Sequence, residues 1–215
     1  MTNTNASSYQ HLLRNNKTWV DSKTNNDPTY FNDLSKGQSP EFLYIGCSDS
    51  RLPINMMTNT DPGHIFLHRN IANMVHQNDA NLESVLEYAI HSLHVKTIIV
   101  AGHHKCGGVA AALGPKTEGV IEDWIRPIRS VYADNKKELD EHACTADRLS
   151  ELNVIAQIKS LTQTRPFLKA LSTKNAPNLV GWVLQLETGL IKDIPLPLDE
   201  WKKDEILPQT FVNTP

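Results

Sequence analysis

Cysteine is scarce in this chain: three residues among 215 are too few for the disulfide framework of a small secreted domain. A dominant charge is missing as well. The 21 basic and 24 acidic side chains leave a net charge of −3, mixed along the sequence, so no electrostatic case exists for a nucleic-acid partner or an anionic membrane surface. Long apolar runs are absent too. The longest are strand-sized, and no bilayer-spanning helix is predicted. Residues 1–16 contain no apolar h-region and hold Arg14 as their one Lys or Arg, so neither a secretory signal nor an Arg-rich transit peptide is expected. Internal repeats, low-complexity tracts and linkers are also missing. A reducing, cytoplasmic compartment is the expectation, and there the thiols stay free. At 40% hydrophobic, the chain has enough apolar material for one sizeable core.

The pattern that is present is βαβ. Phe42-Leu43-Tyr44-Ile45 and Thr97-Ile98-Ile99-Val100-Ala101 read as buried strands, with a short strand predicted from Ile65 to His68 after the Asp61-Pro62-Gly63 turn. Between them Leu82, Val85, Leu86, Ala89, Ile90 and Leu93 fall at helical spacing, which predicts one amphipathic helix over residues 79–94. Further helices are predicted behind Gly107 and over 118–139 and 145–161, and a late strand over 179–186 turns at Thr188-Gly189. The fold class is therefore α/β, with a mostly parallel central sheet of about four to five strands flanked by helices. Residues 1–36 are expected as a helical arm on the outside, broken at Asp27-Pro28. Residues 37–195 are expected as the α/β domain, and the proline-bearing 196–215 as an extended tail of that same domain.

Two strand ends carry the chemistry. Cys47-Ser48-Asp49-Ser50-Arg51 follows the first strand, and Gly102-His103-His104-Lys105-Cys106-Gly107-Gly108 follows the later one. The crevice beyond the carboxyl ends of parallel strands is where such folds build sites. Cys47, His103 and Cys106 make a Cys₂His set for Zn²⁺, with a fourth position open to water or to Asp49. With Asp49 bound the site is closed; with water bound it is catalytic, because a bound water is acidified from 15.7 toward neutrality in good zinc sites. Two thiolates already offset the metal's charge, so that water should be less acidic than beside three imidazoles. Arg51 can take Asp49 in a bidentate pair and keep it off the metal. Gly107 and Gly108 would let backbone N–H groups approach a bound substrate. Each feature alone has a plainer reading, since buried free cysteines are common and inert and an Asp-x-Arg pair is usually a surface ion pair.

Together these residues resemble the β-class carbonic anhydrases, over about Trp19 to Asp193, and the bacterial branch most. Gly37-Gln38-Ser39-Pro40, His68-Arg69-Asn70-Ile71-Ala72-Asn73, Glu87-Tyr88-Ala89, Glu151-Leu152-Asn153-Val154 and Gly181-Trp182 add to the likeness. The resemblance implies reversible hydration of CO₂ to bicarbonate and a proton by zinc-bound hydroxide. It implies Cys47, His103 and Cys106 as ligands and Asp49 with Arg51 as the catalytic dyad. Gln38 would hydrogen-bond substrate, and Phe66 and Tyr88 would line an apolar pocket facing a neighbouring subunit's zinc. A homodimer is then the minimal active unit, and a tetramer is common.

Three departures stand out. An inhibitory bicarbonate, held in some bacterial members by a Trp, an Arg and a Tyr, would here meet Tyr44, Arg69 and Leu184, and leucine has no donor. A histidine suspected of shuttling protons in plant-type members is replaced by Ser92, with His91 and His94 beside it but turned elsewhere. His104 and Lys105 are expected to be solvated, and Cys144 carries no motif. The alternatives are a hydrolase of carbonyl sulfide or carbon disulfide on the same scaffold, and a zinc-holding or redox-sensing protein with a closed site. Asp49, Arg51, Gln38 and the glycine pair argue against mere storage.

Overall fold

The computed structural model describes residues 9–215, which divide into two compact units, one ending at Gln38 and the other Ser39–Pro215. In the first unit, α1 (Gln10–Asn26) and α2 (Tyr30–Leu34) are separated at Asp27-Pro28, as the sequence predicts. Asp27 Oδ1 accepts the Thr29 N–H at 2.9 Å, which closes the turn between them. Trp19, Tyr30 and Phe31 meet edge to face, with ring centroids 5.0–6.5 Å apart.

The second unit is built on five strands: β1 (Phe42–Cys47), β2 (Ile65–Asn70), β3 (Thr97–His103), β4 (Asn178–Leu184) and β5 (Ile191–Ile194). They lie in the order β2-β1-β3-β4-β5, the first four parallel and β5 antiparallel at one edge. Alternate residues feed two cores, so the strands read as continuous apolar runs. Leu43, Ile45, Ile98 and Val100 pack with α4 (Ala80–Glu87), α8 (Thr145–Thr162) and α9 (Arg165–Ser172). On the other face Tyr44, Ile99 and Ala101 pack with α5 (Gly107–Leu113) and α6 (Val120–Asp134). α8 seats directly on β3: a Cβ at Gly102 would lie 2.9 Å from Val154 Cγ2.

Three expectations are corrected, and two helices are added. The helix over 79–94 is not uniform. After α4 the chain forms a π-helical turn, Tyr88–Ser92, in which Leu93 N–H reaches Tyr88 O at 2.9 Å, and it ends with His94 at φ +55°. The stretch 118–139 breaks at Asn135 into α6 and α7 (Lys136–Glu141). α3 (Ile54–Met57) and α9 had no sequence prediction. The tail is not extended: Pro197 caps α10 (Leu198–Lys203), a position where a missing N–H costs nothing.

The same tail supplies Trp201, Leu207 and Phe211 to the core, all at most 6% exposed. Asn213 exchanges side-chain bonds with the Leu179 N–H and C=O at 2.7 and 3.0 Å, strapping the chain end to β4. Trp201→Ala should therefore cost about 3–5 kcal/mol, the range for emptying a large aromatic site. Urea denaturation checks this; a loss under about 1 kcal/mol would mean the tail is dispensable for folding.

Candidate metal centre

β1 and β3 are neighbours in register, with Gly46 opposite Ala101. Cys47 therefore leaves its strand beside Gly102 and His103. From His103 the chain passes through Lys105, in left-handed conformation at φ +57°, to Cys106, the residue preceding α5. The two sulfurs end 4.0 Å apart, and the sulfurs and one imidazole nitrogen all lie within 4.8 Å of one another, buried.

His103 shows what such a set is for. Its Nδ1 lies 2.9 Å from the His104 carbonyl, which can only accept, so Nδ1 carries the proton. Nε2 is left as a bare lone pair, fully buried and without a hydrogen-bond partner. An unpaired buried acceptor beside two thiols is costly as it stands and is what a soft or borderline cation would satisfy. The donor set fits zinc.

The two thiols form a hydrogen bond in which either can donate. Its effect is to lower the Cys47 pKa against that of burial and, together with burial, to raise that of Cys106. One charge thus develops easily in this pocket and a second does not, unless a cation joins it.

Asp49 stands just outside the three-donor cluster, its Oδ2 3.9 Å from His103 Nε2. Arg51 holds it by three bonds: its N–H and Nε to Oδ1 at 2.9 Å each, and Nη2 to Oδ2 at 2.6 Å. These bonds, with the Arg51 side chain foremost, keep the Asp49 carboxyl well below the usual carboxylate range. Arg51 Nη2 also reaches the Lys105 carbonyl at 3.3 Å, tying dyad and ligand turn together. Arg69 fastens the first turn, with Nε 2.8 Å from Cys47 O and Nη2 2.6 Å from Asp49 O.

The structure brings Cys47, Asp49, Arg51, His103, Cys106 and Gly108 together. Gly108 is required by packing, since a Cβ there would meet Ala72 Cβ at 2.9 Å. Gly107 is exposed at the start of α5. Phe66 and Tyr88 pack on each other, centroids 5.9 Å apart, but not on this centre. Phe66 pairs with Leu43, four residues short of Cys47 and so about 13 Å down the sheet. Gln38 is exposed at the end of the N-terminal unit.

His104 and Lys105 are not free in solvent. His104 Nε2 lies 3.4 Å from Glu151 Oε1, and Asp147 accepts from both the Lys105 N–H and Nζ at 3.0 Å. His91 Nε2 lies 3.1 Å from the Pro166 carbonyl. Sequence reasoning passed over Asp147 of α8 and, though it noted Glu151 in the family likeness, gave that residue no role. Their i, i+4 spacing on one helix face was the available signal.

The architecture and donor set define an α/β protein with a candidate metal centre at the carboxyl end of its sheet. The family model for carbonic anhydrases matches residues 42–191. A carbonic anhydrase of Emericella nidulans is 45% identical over 189 residues, 86% of this chain and 83% of that one. One of Candida albicans is 41% identical over 202 residues, 91% and 71% of the two chains. Among solved structures, a tetrameric β-carbonic anhydrase of the ascomycete Sordaria macrospora superposes with a TM-score of 0.83 at 36% identity, over 87% of this chain and 96% of that one. The chain belongs to the carbonic anhydrase family, in its β class, and is a lyase of the carbonate dehydratase type. These relatives are fungal and lend the expected bacterial likeness no support.

The clamp on Lys105 gives a pH prediction. Burial raises the Asp147 pKa, but the Lys105 N–H, the Cys144 thiol and Lys105 Nζ outweigh it and bring it down to about 2 from 3.8. A depressed carboxylate stabilises the fold above its unfolded pKa, and the contribution disappears as pH falls through the folded value. Asp147→Asn should cost about 2 kcal/mol at neutral pH, the difference fading between about pH 4 and 2. Urea titrations of both metal-free proteins across that range check it. A difference undiminished near pH 2 would mean that the charge is not what matters.

Proposed function

We propose that this chain hydrates CO₂ reversibly at a zinc ion held by Cys47, His103 and Cys106, with Asp49 and Arg51 as its catalytic dyad. The observation that carries the reading is the bare, buried Nε2 of His103 aimed into the same pocket as the two sulfurs. Zinc bound there would supply a Lewis acid that acidifies water at neutral pH.

The protein's own groups divide the remaining work. Arg51 holds Asp49 away from the ligand cluster, keeping a coordination position free of a competing carboxylate. With its pKa held so low, Asp49 cannot store the proton released at neutral pH. Its role is to accept a hydrogen bond at Oδ2 from the oxygen that adds to CO₂, and so to orient it. The proton leaves by other groups or by buffer. Gly107, open at the start of α5, leaves its backbone N–H accessible to a bound bicarbonate oxygen.

The apolar part of the pocket comes from a second copy. Phe66 and Tyr88, distant from their own chain's centre and with Tyr88 49% exposed, supply it to the neighbouring subunit together with Gln38. The working unit is then a homodimer, alone or within a tetramer, acting in the cytoplasm. Regulation by bicarbonate at Tyr44, Arg69 and Leu184 has little support. Tyr44 is buried, its hydroxyl pushed up to about 12 chiefly by that burial, and Arg69 already spends donors on two carbonyls. Leu184 is fully buried and offers none.

Two variants test the assignment by separating metal from gate. Cys106→Ser should lose both zinc and CO₂ hydration, because a hydroxyl does not ionise as a thiol does. Arg51→Ala should keep zinc and lose hydration by about 100-fold or more, as its freed carboxylate reaches the metal. Elemental analysis and stopped-flow hydration decide. Full zinc in the serine variant, or near-normal turnover in the alanine variant, would refute the respective role.

A further inference from the structure

Two stretches of this chain, His68–Asn73 and Glu151–Val154, meet next to the ligand cluster although neither supplies a ligand. Ala72 and Asn73 form a tight turn in left-handed conformation, at φ +59° and +49°, with no glycine to ease it. Both are buried. Such a turn persists only where its surroundings hold it.

Much of what holds it is one face of α8. Asn153, fully buried, donates from Nδ2 to the Ala72 carbonyl at 3.2 Å. Its Oδ1 accepts from Gln157 Nε2 at 2.9 Å, and Gln157 Oε1 accepts the Val75 N–H at 2.8 Å. Ser160 Oγ closes the row by donating to Val75 O at 2.7 Å. Residues 153, 157 and 160 stand at i, i+4 and i+7 and so share a face. Asn70 clasps the turn from the other side, exchanging bonds with the Met74 N–H and C=O at 2.7 and 2.8 Å.

What is held adjoins both ligand turns. Ala72 lies in one buried cluster with Cys47 and Cys106, and the Ser48 N–H, next to Cys47, reaches Asn70 O at 2.8 Å. A Cβ on Gly108 would meet the Ala72 methyl at 2.9 Å, so the turn also packs on the start of α5 beside Cys106. Groups packed around the ligands fix their orientation, and losing such outer partners commonly costs a metal site about 10–100-fold in affinity.

We propose that Asn153 is a positioning residue of the metal centre: by gripping the Ala72 carbonyl it fixes the turn that packs with Cys47 and against the start of α5 beside Cys106. This rests on the reading that Cys47, His103 and Cys106 bind zinc. Ser160 grips the same segment three residues further from the sulfur, so it is the structural control.

The test compares wild type, Asn153→Leu and Ser160→Ala. Zinc affinity is read by competition with a chromophoric chelator, the thiolate-to-metal charge-transfer band on cobalt(II)-loaded protein, and stability by thermal unfolding without metal. Asn153→Leu should bind zinc about 10–100-fold more weakly and shift the band, while Ser160→Ala lowers the melting temperature and moves neither. Asn153→Ser, whose hydroxyl is too short to reach, replaces the leucine variant if that one does not fold. Wild-type affinity with an unshifted band, or an equal loss in Ser160→Ala, would overturn the proposal; so would failure of both Asn153 variants to fold, which would make the residue a folding element. If wild type itself bound no zinc, the underlying metal reading would fall instead.

Discussion

The pairing of Gly46 with Ala101 sets where everything else in the centre can stand. Register fixes how far along the sheet each strand end delivers its residues, so a slip of one residue would shift Cys47 by about 3.3 Å relative to His103. The slip is opposed by both cores at once, because Leu43, Ile45, Ile98 and Val100 fill one face while Tyr44, Ile99 and Ala101 fill the other. The position of two ligands is thereby tied to the burial of seven apolar side chains. Packing sets the register, but strict alternation would leave Cys47 on the Leu43 face; the chain turns as it leaves β1, so that Cys47 packs with Tyr44 and Ala101, and Arg69 Nε holds its carbonyl at 2.8 Å.

Beyond the strand ends the chain relies on polar grips. α8 delivers most of them, with Asp147 and Glu151 on the ligand turn and Asn153 and Gln157 on the turn after β2. Arg51 links the dyad to the Lys105 carbonyl, and Arg69 links the end of β1 to the following turn. These bonds lie in partly dry surroundings, where an unmade hydrogen bond costs more than a made one gains. The centre is therefore held as one connected piece.

Much of this was legible from residue types at predicted strand ends. Cys47, His103 and Cys106 could be read as a metal set because chemically unusual side chains followed two apolar runs, and the Asp49–Arg51 pair followed from spacing alone. The tail was misread because its prolines suggested extension, whereas Pro197 sits where a helix begins and Trp201 carries the apolar signal. The π-helical turn at Tyr88–Ser92 was invisible because a continuous apolar stripe fits an α-helix equally well. Asn153 escaped for a different reason. A buried asparagine on an apolar helix face is explained only by the carbonyl it meets, and Ala72 lies 81 residues away.

The account's central claim is that this fold presents two sulfurs and one imidazole nitrogen to a single cation. Zinc-edge X-ray absorption on the zinc-loaded protein tests it most directly. Two sulfur scatterers near 2.3 Å with imidazole backscattering are expected. A single sulfur, or a third one recruited from Cys144, would contradict it.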